Sequence, residues 1–507
     1  MKTQLFLPLA GLLILAGGCA VGPNYHSPQT AAPANWSESL AGGATNSEVQ
    51  ITDWWKTFND SELDSLVERA VQNNYNLRVA KASLLEERAL HSYAEWDLGP
   101  IIDSSGGYTR QKISNNTIPS GTPNPESGLY DAHFDASWEI DVFGSKRRSL
   151  EEARDNFQAS QENYRDVLVT LLGDVALDYI EVRAAQQQLL IASNNIAAQS
   201  ETIGLTQARF KAGFVSELDV RQAQQVLATT EATVPTLQTS LKQATHALGV
   251  LLGQPPGALL DELSRTEPIP SIPSSVSVGL PSELLRRRPD VREAERQLAA
   301  ATADIGVQTA ELFPKFSLLG TGGLQSINAS DWLTGGSRYW SAGPSVTWRL
   351  LDFGRIHSQI KASDARQKQA LATYEQTVLT AFQDVEDALV AYANEQTRYK
   401  ALNDAVVADR RSLELSKELY TTGNGDFLSV LTSERSLLSD EDQSVQSRSA
   451  EAQNLVTLYK ALGGGWETET NTLVSRKAVL EPSLDDGRKI ETDAPAIVKA
   501  APQNSLH

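Results

Sequence analysis

The 507-residue chain carries 63 acidic against 44 basic side chains, a formal net charge of −19, one cysteine and one methionine. That balance disfavours nucleic acid, whose phosphates need a basic face, and a lone cysteine excludes an internal disulfide. Six histidines (26, 91, 133, 246, 357 and 507) fall at no ligand spacing, and no GxSxG, HExxH or phosphate loop occurs, so no metal, cofactor or enzymatic activity is expected.

Residues 1–18 read as a signal peptide: Lys2, an apolar run from Leu5 to Leu15 too short for a permanent span, then Ala16-Gly17-Gly18. Cys19 follows in a setting that resembles a bacterial lipobox, with Ala16 where that pattern usually has Leu. Lipidation of its thiol is the expectation, and plain secretion with a chance cysteine is the alternative. Ala20, rather than Asp, directs such a lipoprotein to the outer membrane. Residues 19–58 then form a tether, rich in Pro, Gly, Asn and Ser, which reads as extended.

From Asp60, a plausible N-cap, to about Trp96 the apolar positions Leu63, Leu66, Val67, Ala70, Leu77, Ala80 and Leu84 recur at helical spacing. A matching helix runs from about Ser282 to Leu312. This correspondence is part of a repeat of about 210 residues: Trp138, Phe143 and Gly144 recur as Trp348, Phe353 and Gly354, and Gly213, Leu218 and Val220 recur as Gly423, Leu428 and Val430. So long a period means one unit built twice, over 59–253 and 280–466, joined by a Pro-rich linker at 254–279. Each unit holds a very long helix, Ser145 to Lys211 and Arg355 to about Thr421, on the order of 100 Å at the α-helical rise. Tyr164, Leu168, Leu171, Val175, Tyr179 and Val182 alternate steps of three and four, the seam of a coiled coil. Gly213 and Gly423 reverse each long helix into a shorter one ending near Leu252 and Leu462. Residues 467–507 show no apolar period and read as a disordered tail.

Between the helices of each unit lie segments of a different period. From Ala132 to Val142, Ala132, Phe134, Ala136, Trp138, Ile140 and Val142 alternate with His133, Asp135, Ser137, Glu139 and Asp141. The stretch from Tyr339 to Leu350 alternates likewise, and Ile101–Arg110 and Phe316–Ser326 are weaker, Gly-rich strands. About 11 residues suffice for a tilted strand to cross a membrane; a soluble sandwich is the alternative. Four strands close no barrel, so closure is shared among chains, with three favoured over two.

Several stretches resemble the TolC-like outer membrane efflux proteins, in the lipoprotein branch typified by OprM. Cys19-Ala-Val-Gly-Pro-Asn-Tyr25, Trp54-Trp55 with Phe58, and the run from Arg209 through Gly213 and Ser216 to Val220 carry the likeness, with Tyr420, Gly423, Asp426, Leu428 and Val430-Leu431 as its second version. The resemblance implies a mainly α fold with a membrane β-barrel: a homotrimer whose 12-stranded β-barrel continues into a 12-helix α-barrel through the periplasm. It implies an exit duct that serves an inner-membrane pump of the resistance-nodulation-division (RND) type through a periplasmic adaptor, expelling small toxic compounds. The tips, with Arg209, Gly213, Ser216, Leu218, Asp219, Val220, Gly423, Leu428 and Val430, would dock the adaptor; Arg209, Ser216 and Asp219 also suit helix capping. Relatives tend to carry Asp after the second Leu-Leu, where this chain has Thr432-Ser433-Glu434, so Asp426, Glu434 or Tyr420 is the candidate gate. Asp131, Asp135, Glu139 and Asp141 would line the barrel and favour cations. A protein-secretion duct and a pore-free envelope scaffold are the rival readings.

Overall fold

A computed structural model describes residues 20–29, 32–38, 41–45, 51–117, 126–273 and 275–467. The signal peptide, Cys19 and nearly all of the C-terminal tail lie outside the described residues. The first helical stretch begins where its cap predicts: the Asp60 carboxylate accepts from the backbone N–H of Glu62 and Leu63 at 3.0 and 3.2 Å. It is two helices rather than one, α1 (Ser61–Asn73) and α2 (Tyr75–Trp96). Asn74 leaves the helical region between them, and its side chain accepts from Leu77 N–H and donates to the Leu251 carbonyl, both at 2.9 Å. The second unit has the same interruption at Arg288, between α5 (Pro281–Arg287) and α6 (Pro289–Ala310). There the cause is Pro289, which pushes the preceding residue out of the α region.

Four antiparallel strands follow these helices: β2 (Ile101–Gln111) and β3 (Ser127–Ile140) from the first unit, β5 (Lys315–Ser326) and β6 (Arg338–Thr347) from the second. They form one sheet in the order β2-β3-β5-β6. The sequence pattern carries the second and fourth strands on to Val142 and Leu350, but they stop at Ile140 and Thr347. The reason is helix capping. Asp141 turns its carboxylate to Lys146 and Arg147 N–H at 3.2 and 3.0 Å, and Asp352 binds Gly354 and Ile356 N–H at 3.0 and 2.6 Å. Asp141 therefore caps the following helix, just beyond the end of the strand.

Helix α3 (Ser145–Lys211) has 67 residues and α7 (Arg355–Thr422) has 68; each reverses into a helix of 35, α4 (Glu217–Leu251) and α8 (Phe427–Ala461). The heptad positions Tyr164, Leu168, Leu171, Val175, Tyr179 and Val182 are all buried. The main core lies where α1, α3, α7 and α8 meet the short turn Trp54–Phe58, and Trp54 stacks on Tyr459 with ring centroids 5.3 Å apart. On the sheet side α2, α3, α6 and α7 pack in that order; towards the hairpin turns the order is α4, α3, α8, α7.

The tether is fastened along the body for much of its length. Val21 N–H donates to the Phe143 carbonyl and Arg148 Nε to the Val21 carbonyl, both at 3.1 Å. Tyr25 binds Glu295, buried Trp36 binds the Gly279 carbonyl, and β1 (Ala44–Thr45) pairs in parallel with β4 (Val276–Ser277). At Gly22, φ is +90° and a Cβ would stand 2.5 Å from Gly306 Cα, so no side chain fits. The Pro-rich link is equally packed, with Leu259, Leu263, Val276 and Val278 buried.

Asp60 caps α1 and also accepts the buried Tyr179 hydroxyl at 2.8 Å. Asp60→Ala should cost about 2 kcal/mol, seen as a lower urea midpoint for the detergent-solubilised protein; Tyr179→Phe should cost about half as much.

Candidate functional site

Two regions collect the residues singled out by sequence: the turns that join the long hairpins, and the polar face of the sheet. In the first turn Gly213 has φ +79°, with Gly213 N–H on the Phe210 carbonyl and Phe214 N–H on the Arg209 carbonyl, both at 2.9 Å. Gly423 repeats this φ in the second turn, where Asn424 and Gly425 N–H share the Leu419 carbonyl. A residue with a Cβ is strained at either place. Asp426 caps α8 by accepting from Ser429 N–H and Oγ at 2.8 and 2.6 Å, which holds its carboxyl below the usual range. Ser216 occupies the same place before α4, but its hydroxyl donates to Asp219 at 3.3 Å instead of accepting a backbone N–H.

Arg209 ties the two turns together. Its guanidinium donates to the Thr421 carbonyl at 3.1 Å and lies 4.6 Å from the centre of the Tyr420 ring. Beneath it Tyr420, Phe427, Val430, Leu431, Ala223 and Val226 form a small core separate from the main one. Three sequence expectations change here. Val220 and Val430 are buried, so they shape the tip and offer nothing to a partner. Tyr420 is only 2% exposed and packs on Phe427 at 5.5 Å; burial raises its phenol above the ordinary value, and the hydroxyl does not reach outward to a neighbouring tip. Glu434 is buried too, accepting from Thr202 Oγ1 at 2.7 Å and pairing with Lys417 at 3.0 Å. It braces α3 against α7 and α8 rather than facing a passage.

Leu218 and Leu428, equivalent by the repeat, are exposed at 62% and 60%, and Phe210, Phe214 and Leu419 beside the same two turns are exposed as well. Sequence reasoning did not assign the last three; Phe214, next to the turn glycine and off the coiled-coil seam, was the available signal.

On the sheet, Asp131, His133, Asp135 and Glu139 share one face of β3. His133 bridges Asp131 and Asp135, Thr321 donates to Asp135 at 2.6 Å, and Ser105 lies 2.8 Å from the His133 ring. Tyr339 reaches Asp131 at 3.1 Å across Gly323, which stands between Tyr339 and His133 in the register and whose Cβ, if it had one, would lie 2.6 Å from His133 Cβ. The other face exposes Phe134, Trp138, Leu318, Trp340 and Val346. Aromatics mark both its ends. Tyr108 and Tyr130 pair at 4.6 Å beside the loop end. At the helix end Trp138 and Trp348 donate to the carbonyls of Leu98 and Leu312 at 2.9 and 3.1 Å, one equivalent bond in each unit. Such girdles at the edges of an apolar band are the pattern of outer-membrane strands.

Replacing buried Glu434 by Ala takes the carboxylate from Lys417 and leaves the buried Thr202 hydroxyl only its bond to the Ala198 carbonyl. We expect a loss of about 2–3 kcal/mol and faster amide exchange confined to the hairpin ends, measured by hydrogen–deuterium exchange.

The family described as outer membrane efflux protein matches the chain twice, at residues 66–254 and 280–464. The pyoverdine export outer membrane protein OpmQ of Pseudomonas aeruginosa is 33% identical over 480 residues, which cover 93% of this chain and 99% of that protein. Nodulation protein T of Rhizobium leguminosarum bv. trifolii is 31% identical over 462 residues, 89% and 96% of the two chains. Among solved structures, the outer-membrane channel OprN superposes with a TM-score of 0.84 at 37% identity, covering 89% of this chain and 100% of that one. CusC superposes at 0.78 and 27%, covering 88% and 100%. With matching units on both sides of the link, a sheet built for lipid and long helical hairpins beneath it, the chain belongs to the outer membrane efflux protein family.

Proposed function

We propose that three copies of this chain close into the exit duct of a tripartite RND-type efflux pump. The open edges of the protomer carry this reading. Among the described residues, strands β2 and β6 each lack one neighbour in the sheet, and an unpaired edge in hydrocarbon forfeits several kcal/mol per backbone group. The helical layer ends in the same way. Its outer members on the sheet side, α2 and α7, hold Tyr75, Val79, Leu85 and Tyr93 on one side and Leu379 on the other, all exposed. Pairing β2 with the next chain's β6, and α2 with its α7, satisfies both edges at once. Three chains give 12 strands, wide enough for a passage, whereas two give 8, whose interior side chains fill.

The remaining assignments follow from this geometry. Ala20 packs on Gly144 at the junction of sheet and helix, so Cys19, lipidated, would insert its acyl chains at the periplasmic boundary of the same membrane. The polar face with Asp131, Asp135 and Glu139 lines the barrel. At the far end Leu218, Leu428 and Phe214 with Arg209, Ser216 and Asp219 form a mixed apolar and polar surface for the adaptor's helical hairpin. Asp426, exposed at the second turn, is the gate candidate that the protomer leaves facing solvent.

Purified protein should run as a trimer in detergent and give single-channel conductance in planar bilayers; a monomer without conductance would overturn the reading. Leu218→Asp with Leu428→Asp should keep the trimer and lose complementation of an efflux-deficient strain. Cys19→Ser should lose labelling by radioactive palmitate, and retained label would refute lipidation there.

A further inference from the structure

The register of the sheet sorts its strand residues onto two faces. On the apolar face of the first hairpin, Tyr108 stands opposite Tyr130 and Arg110 opposite Gly128. On the same face of the second, Trp340 stands opposite Gly322 and Arg338 opposite Leu324. Among the described residues of the four strands, Arg110 and Arg338 are the only charged side chains on that face. Both are exposed at the loop end, one same-face step beyond Tyr108 and Trp340. Lys112 occupies the next such step, one residue past the end of β2.

Within one chain the two arginines lie on opposite edges of the sheet, β2 and β6. The repeat dictates how closure brings them together. Trp138 and Trp348 donate to the carbonyls of Leu98 and Leu312, which sets β3 equivalent to β6 and β2 equivalent to β5. The two hairpins agree, since Ile102 faces Ala136 and Phe316 faces Val346. At the seam inside the chain, between β3 and β5, Tyr130 faces Ser326 and Ala132 faces Leu324. The same register at the seam between chains sets Trp340 opposite the next chain's Lys112, and Ala342 opposite its Arg110. Arg338 then lies diagonal to that Lys112, about 7–8 Å away, with Arg110 one same-face step further along the strand. The equivalent positions at the internal seam are Gly128, Ser326 and Leu324, which carry no charge.

Local acids do little to neutralise these cations. Arg110 pairs with Glu126 at 2.6 Å, but both side chains are exposed, where an ion pair contributes little. Lys112 and Arg338 form no ion pair among the described residues. Asp331, in the loop before β6, is engaged by Ser330 and Asn328. A charge on the lipid face is costly at mid-membrane and nearly free at the interface. These cations therefore mark a headgroup level, in the leaflet opposite the one that the lipid anchor of the N-terminal strap would enter.

We propose that each seam between chains binds a phosphate of the outer-leaflet glycolipid, held by Arg338 of one chain with Lys112 and Arg110 of the next. The inference rests on the trimeric duct reading, which creates the seam and turns the loops outward. A guanidinium fork grips two phosphate oxygens at once, and an ammonium adds a compact charge. Trp340 and Tyr108 stand one step closer to the membrane centre, the level that interfacial aromatics favour. A lipid held by both chains binds the trimer and not the lone chain, so it stabilises the assembled state.

Native mass spectrometry of the detergent-purified protein tests this, with lipid A carrying both its phosphates as the probe. The trimer should take up one lipid A per chain. Arg338→Gln with Lys112→Gln should weaken uptake by the assembled trimer at least about tenfold. Lys368→Gln with Arg411→Gln, which removes two exposed charges from α7, should leave it unchanged. Lipid A stripped of phosphate should bind the unmodified trimer as weakly as the intact lipid binds the first variant. Equal uptake by both variants, equal affinity for phosphatidylglycerol, or displacement by excess inorganic phosphate overturns the proposal while the duct stands. A protein that stays monomeric overturns the duct reading, and the proposal with it.

Discussion

An unsatisfied backbone group is too costly to leave in hydrocarbon, and this one constraint organises the rest of the protomer. The sheet has four strands and two open edges. The helical layer beneath it leaves apolar residues exposed on its outer members. A single chain can fold its main core around Trp54, Tyr179 and Tyr392, yet it cannot complete either layer. Both layers are left incomplete along the same two sides, so one association satisfies both.

Internal duplication makes such closure geometrically simple. Each unit repeats the same local devices: a helix broken at Asn74 or Arg288, a tryptophan bonded back to the carbonyl before its first strand, and a left-handed glycine at the hairpin turn. The units differ where they must fit together rather than match. In the first turn Phe214 is exposed, whereas in the second Tyr420 and Phe427 are buried. Arg209 crosses from the first turn to the second, and no mirror-image bond in the opposite direction is found among the described residues.

Charge is distributed with similar economy. Carboxylates that carry structural load are paired or used as caps: Glu434 with Lys417, Asp141 and Asp352 at helix starts, Asp60 with Tyr179. On the side away from the strap, burial and neighbouring carboxylates raise the proton affinity of Glu152 and Asp178. An acidic chain thus uses its excess charge in two ways, one to hold helices and one to colour a surface.

Periodicity alone determined the two-unit plan, the long helices at Ser145–Lys211 and Arg355–Thr422, the glycine turns and four strands with one polar face, because helix and strand periods are local properties of the chain. Capping chemistry at Asp60 was legible for the same reason. The break at Asn74, the early ends of β3 and β6, and the docking of the strap depended on partners more than a hundred residues away or on a choice between strand pairing and helix capping. Of the tip residues, sequence could name Leu218 and Leu428 but could not separate them from Val220, Val430, Tyr420 and Glu434, which the same motif presents side by side. Only the packing of one hairpin against the other decided which of these side chains face water, since burial is set by the neighbour and not by the residue's own spacing.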